Sequence, residues 1–101
     1  MDSDIPEVKV TIPPTLRRLC SGNGASRKGV LSVKARSVRL LLEDLARQHP
    51  EVHVRVCDER GEPRQHINVF VNDDHVRVRD GLDTLLNAGD QVTILPAVSG
   101  G

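Results

Sequence analysis

Apolar and polar residues alternate strictly in several stretches of the chain. Val8, Val10 and Ile12 alternate with Lys9 and Thr11, and Leu31, Val33 and Ala35 alternate with Ser32, Lys34 and Arg36. A period of two is the signature of a half-buried strand, so these runs predict an N-terminal hairpin. Pro13-Pro14 ends the first run, and the small, polar stretch from Ser21 to Gly29 reads as a loop longer than a tight turn. The alternation returns at Val52, Val54 and Val56, and again at Ile67, Val69 and Val71 against Asn68, Phe70 and Asn72. Each of these predicts a further strand, with the turn-rich Asp58–Pro63 between them. Asn72-Asp73-Asp74 is turn material, and His75–Val78 predicts a short return strand. Gln91–Leu95 is the last strand, running into Pro96.

One segment has a different period. Val38, Leu41, Leu42, Leu45, Ala46 and His49 fall at i, i+3, i+4, i+7, i+8 and i+11, a single apolar stripe along a helix. Ser37 stands where an N-cap belongs, and Pro50 disfavours helical geometry in the residue before it. Leu82, Leu85 and Leu86 have helical spacing too, but Gly81 and Gly89 confine that helix to one or two turns. A hairpin, one long helix, returning strands, a short helix and a final strand do not make regular βαβ units. They predict an α+β roll, with a mixed sheet packed on one main helix. Phe70 is the only aromatic, so Val, Leu and Ile must fill the core. The expected organisation is a flexible segment over 1–7, one folded domain over 8–96 and a flexible tail over 97–101.

Charge narrows the function. Fourteen basic and fourteen acidic residues balance, which leaves no electrostatic footprint for nucleic acid or an anionic membrane. The missing aromatics remove the stacking platforms of single-strand binders. No apolar run reaches the roughly 20 residues that span a bilayer. Met1-Asp2-Ser3-Asp4 lacks the basic and apolar regions of a signal peptide, so the expected location is the cytoplasm. There Cys20 and Cys57, without CxxC or metal spacing, read as two unrelated thiols. The histidines His49, His53, His66 and His75 are scattered, and His49 with His53 has ligand spacing only for a helix continuing past Pro50. No metal site is expected. The Gly22–Gly29 loop fits neither phosphate-loop pattern, and no nucleophile–base arrangement is visible, so no catalytic residue is assigned.

The last third of the chain carries a resemblance. Ile67–Asp74, Gly81-Leu82-Asp83-Thr84-Leu85-Leu86, and above all Gly89-Asp90-Gln91-Val92-Thr93-Ile94-Leu95-Pro96-Ala97-Val98-Ser99-Gly100-Gly101 resemble the ThiS/MoaD sulfur-carrier family, bacterial relatives of ubiquitin. The ending is most similar to that of the cysteine-biosynthetic, CysO-like branch. The resemblance implies a β-grasp fold and a protein co-substrate that is not itself an enzyme. A ubiquitin-activating-type adenylyltransferase/sulfurtransferase would use ATP to adenylate the Gly101 carboxylate, and a sulfur donor would convert it to a thiocarboxylate. In the cysteine branch a pyridoxal-phosphate (PLP) cysteine synthase accepts the sulfur and a zinc peptidase releases the product. Other branches use the tail for molybdopterin, as the small subunit of its synthase, for thiamine, or for secondary metabolites. A ubiquitin-like modifier joined to target lysines is a rival of another class. No cofactor is expected to be bound to the chain itself.

The chemistry asks for such a tail independently. A free carboxylate is a poor electrophile and must be activated before sulfur can be installed. The reacting carbon must also enter another protein's active site. Five extended residues beyond Pro96 span about 16 Å, and glycine lets another backbone approach closely. Pro96 lacks a donor N–H and discourages strand pairing from continuing. Pro96, Val98, Ser99 and Gly100 are therefore the expected recognition segment behind Gly101. Phe70 and Leu95 lie opposite the core-facing residues of their strands, which makes them candidates for an exposed apolar patch that meets the activating enzyme.

Overall fold

The structure is a computed structural model and describes residues 5–13, 15–16 and 30–96. Five strands, β1 (Glu7–Thr11), β2 (Val30–Lys34), β3 (Ile67–Val71), β4 (Asp74–His75) and β5 (Gln91–Pro96), form one sheet in the order β2-β1-β5-β3-β4. β1 and β2 pair antiparallel with Val10 opposite Leu31, the hairpin that the alternation predicts. β1 and β5 pair in parallel at the centre, and β5 pairs antiparallel with β3. Strands β2 and β1 precede the main helix while β3 to β5 follow it, so the chain closes into the expected roll. This is the β-grasp architecture.

The main helix, α1 (Val38–Gln48), lies against the apolar face of the sheet. Ser37 has extended backbone, and its Oγ accepts the Leu40 N–H at 3.2 Å, as an N-cap should. Val38, Leu41, Leu42 and Leu45 are buried against Val8, Val10, Leu31, Val33, Val69, Val71, Val92 and Ile94. Apart from Cys57, the core is aliphatic, and Phe70 lies outside it. Val38 N–H donates to Thr84 O and Leu86 N–H to Arg36 O, which ties the connection into β5 to the start of α1.

Three local expectations fail. Val52, Val54 and Val56 lie on a second helix, α2 (Pro50–Val56), not on a strand. In a strand all three would share a face. In the helix, Val52 and Val56, four apart, are buried, while Val54 is 58% exposed. Pro50 does break α1, at His49 (φ −137, ψ 68), but then takes the first helical position, where its fixed φ and missing N–H cost nothing. Glu51 in the first turn and His53 and Arg55 in the last suit the helix dipole. The Arg64 guanidinium then donates to Val54 O at 2.9 and 3.1 Å, satisfying a carbonyl the helix end leaves open. Tertiary packing and end chemistry outweigh the strand preference of valine.

The return strand is also shorter than expected. β4 holds only Asp74 and His75, and Val76–Val78 forms a 3-10 turn that brings Val76 into the core. The helix expected around Leu82–Leu86 is a single 3-10 turn, Gly81–Asp83. Leu86 is buried and Leu85 exposed there.

Candidate functional site

The final strand is stitched in place at its start. Gly89 adopts φ +89, a left-handed conformation that glycine adopts without strain. The Asp90 carboxylate accepts the Asn87 N–H at 2.8 Å and the Asn72 side-chain amide at 3.2 Å. Asn72, itself at φ 55, also accepts the Gln91 N–H at 3.1 Å through its side chain and donates its own N–H to Gln91 O. Asp90 O accepts the Lys9 N–H from β1. These bonds lock the register of β5 between β1 and β3, and so fix where its C-terminal end leaves the sheet. Both Asn72 and Asp90 lie in segments that carry the family resemblance, where their residue type marks turns, but the bond that joins them across 18 residues has no mark in the sequence.

Pro96, the last position of β5, is exposed and stands opposite Ile67. Val98, Ser99, Gly100 and Gly101, with Ala97, lie outside the described residues, as do Cys20 and the Gly22–Gly29 loop. Of the expected apolar pair, Leu95 is 38% exposed and Phe70 is half-buried. Both point away from the core: Leu95 stands opposite Asn68, and Phe70 lies between Thr93 and His75. The partial cover of Phe70 comes from His75, whose ring meets it edge-on at 5.2 Å and 75°.

His75 is held at both ring nitrogens. Nδ1 accepts the Arg77 N–H at 3.0 Å, which leaves Nε2 to donate to Asn68 Oδ1, also at 3.0 Å. One outward-facing surface on β3, β4 and β5 thus presents Asn68, Phe70, His75, Thr93 and Leu95 close to the exit of the tail. It offers shape and apolar area but no nucleophile.

Among the described residues, Cys57 and Asp58 offer no alternative chemistry. Cys57 is a buried free thiol, pushed up to about 11 by burial and by the neighbouring Asp58, against a weaker opposing pull from Arg64. A thiol held protonated in this way is a poor nucleophile. Asp58 is held below the usual carboxylate range chiefly by hydrogen bonds from the backbone N–H groups of Glu62 and Arg60, in a turn where it caps its own loop. His53 is shifted down by burial. Among the described residues, no three His, Cys, Asp or Glu side chains are grouped to hold a metal ion. No helix among them is long and apolar enough to cross a membrane.

The model of the ThiS family matches residues 21–101. The chain belongs to that family. The sulfur carrier protein CysO of Mycobacterium tuberculosis is 34% identical to this ThiS-family chain, over 93% of it and 98% of the relative. The crystal structure of the Amycolatopsis orientalis BexX/CysO complex contains a chain that superposes with a TM-score of 0.75 at 34% identity, over 93% of this chain and 99% of that one. The solution structure of the small archaeal modifier protein 1 from Methanosarcina acetivorans superposes with a TM-score of 0.74 at 31% identity, over 96% and 98% of the two chains. Gly89 and Asp90, within the matched residues, anchor the start of β5.

Proposed function

We propose that this ThiS-family protein is a sulfur carrier of the cysteine-biosynthetic branch, with Gly101 as its reactive terminus. Two facts support the reading: near full-length similarity to CysO sulfur carriers, and a Pro96–Gly101 sequence that begins at the last residue of a tightly registered central strand. A Gly101 carboxylate oxygen attacks the α-phosphorus of ATP in an activating enzyme and releases pyrophosphate. A sulfur nucleophile from a donor then displaces AMP and leaves the thiocarboxylate. That sulfur is the nucleophile passed to an acceptor enzyme, here a pyridoxal-phosphate cysteine synthase, with a zinc peptidase freeing the product. The chain itself supplies a terminus without side-chain bulk and a docking surface on Phe70 and Leu95, while its partners supply catalysis.

Intact mass of the protein isolated from its own cells tests this. A sulfur-for-oxygen increment localised to Gly101 is expected, and it should disappear when Gly101 is deleted. Sulfur retained on a cysteine of the truncated chain would overturn the tail mechanism. The similarity to an archaeal modifier favours one second reading, in which Gly101 is joined to target lysines. A ladder of lysine conjugates, in place of the thiocarboxylate, would establish it.

A further inference from the structure

A small cleft of about 240 Å³ opens beside the point where β5 ends. Pro13, Leu16 and Ile67 line it on the apolar side, Pro96 borders it, and Arg55 from α2 and His66 stand at its edge. The described surface elsewhere satisfies several of its arginines internally: Arg39 pairs with Asp83 at 3.2 Å, Arg47 with Asp44 at 2.6 Å, and Arg64 with Val54 O. The side chains of Arg55 and His66 form no hydrogen bond or ion pair with any described residue. Arg36 and Arg77 likewise have no side-chain partner among the described residues, so what sets Arg55 apart is its place in a cleft beside His66 and Pro96.

We infer that this cleft is a second docking point, which takes an acidic side chain of the partner that encloses the tail. The inference rests on the reading of Gly101 as the activated terminus. Pro96, the last residue of β5 and the one that residues 97–101 follow, lines the same cleft as Arg55 and His66, so a partner that engages the chain at Pro96 meets both. Arg55 contributes a fixed positive charge with a planar set of donors suited to carboxylate, and His66 has a ring N–H in either protonation state. The apolar floor accepts the methylenes of an Asp or Glu while the rim meets its head. The site lies on α2 and the start of β3, apart from the Phe70–Leu95 surface. Two contacts flanking the tail would fix its direction into an active site as well as its position. Charges at such a rim act mainly on encounter and register.

The test uses the full-length chain and the ubiquitin-activating-type adenylyltransferase of the same cells, following carrier-dependent ATP–pyrophosphate exchange. Reversing one rim charge replaces an attraction with a repulsion of similar size, so Arg55→Glu should raise KM for the carrier about three- to thirtyfold with kcat unchanged. Arg55→Lys keeps the charge but loses the planar fork and should fall between wild type and Arg55→Glu, and His66→Ala should raise KM by less than Arg55→Glu. The wild-type KM should climb with salt, and that slope should flatten in Arg55→Glu. Melting curves establish that the exposed substitutions leave the fold intact. A wild-type chain that is adenylated while Arg55→Glu matches it in KM and salt slope sinks the cleft alone. A fall in kcat with unchanged KM also sinks it. If Arg55→Glu moves the Gly101 amide resonance in the free protein, the cleft holds the chain's own tail and the inference is wrong. A wild-type chain that no such enzyme adenylates overturns the carrier reading, and the cleft assignment falls with it.

Discussion

Ile94→Ala should separate the fold from the chemistry it presents. Ile94 is fully buried on β5, opposite Val69, with its side chain in the aliphatic layer beneath α1. Removing a buried isoleucine side chain down to Cβ costs about 2–5 kcal/mol, the transfer of its methyls and methylene plus the cavity left behind. No aromatic ring borders that site to rotate into the space, since Phe70 lies on the other face, so the cost should be at least about 3 kcal/mol. A domain of this size loses about 4–8 °C of melting temperature per kcal/mol, so a fall of about 10–25 °C is expected by circular dichroism. Deleting Gly101 should do the reverse: among the described residues the buried core lies between Val8 and Ile94, so the melting temperature should not move. Pyrophosphate exchange, run cold enough that both variants are folded, should persist in Ile94→Ala and vanish without Gly101. The reasoning fails if Ile94→Ala melts like wild type. It fails equally if the folded variant is inert while the Gly101 deletion still turns over.

Other consequences are simpler to measure. Cys57 should resist alkylation in the folded protein at pH 8, where a thiol held near 11 is ionised in about one molecule in a thousand, and should react at once in denaturant. Because its folded value is raised, the native state holds that proton more tightly; stability should therefore fall between about pH 9 and 11, and Cys57→Ala should lack that fall. Asp90→Ala removes the acceptor for Asn87 N–H and the Asn72 amide, and should lower stability by about 1–2 kcal/mol in urea melts. Ser37→Ala removes the N-cap of α1 and should cost about 1 kcal/mol in the same measurement, without changing the KM for the activating enzyme.

The sequence reveals this fold wherever local period and tertiary burial agree. β1, β2, β3 and β5 each bury the residues that their alternation marks, and α1 buries its stripe behind a serine cap. The failures share a cause. Val52, Val54 and Val56 satisfy both a period of two and, through the first and third, a spacing of four, and the alternation gives no weight to a proline that can begin a helix as readily as it ends one. Only packing under the sheet decides between them, and it buries Val52 and Val56 while leaving Val54 out. His75–Val78 fails similarly, because a two-residue strand followed by a 3-10 turn has no period long enough to read.

The misread helix matters for function as well as for fold. Were residues 52–56 a strand, Arg55 would point away from its three valines on an exposed face, one more solvated cation. On α2 it stands instead beside His66 and Pro96, where the tail leaves. The surface around the exit is thus assembled from α2, β3 and β5, elements far apart in sequence, and the terminal glycines carry no mark of it. The ending does carry the anchor: Gly89 and Asp90, which resemblance alone would place among functional residues, act by fixing the register of β5 through Asn72, Asn87 and Lys9. A slip of one residue would exchange the two faces of that strand, burying Leu95 and expelling Ile94. Rigidity at the start of β5 is therefore a condition for a useful terminus at its end. A terminus can be offered to an active site in a defined direction only if the strand behind it cannot slide.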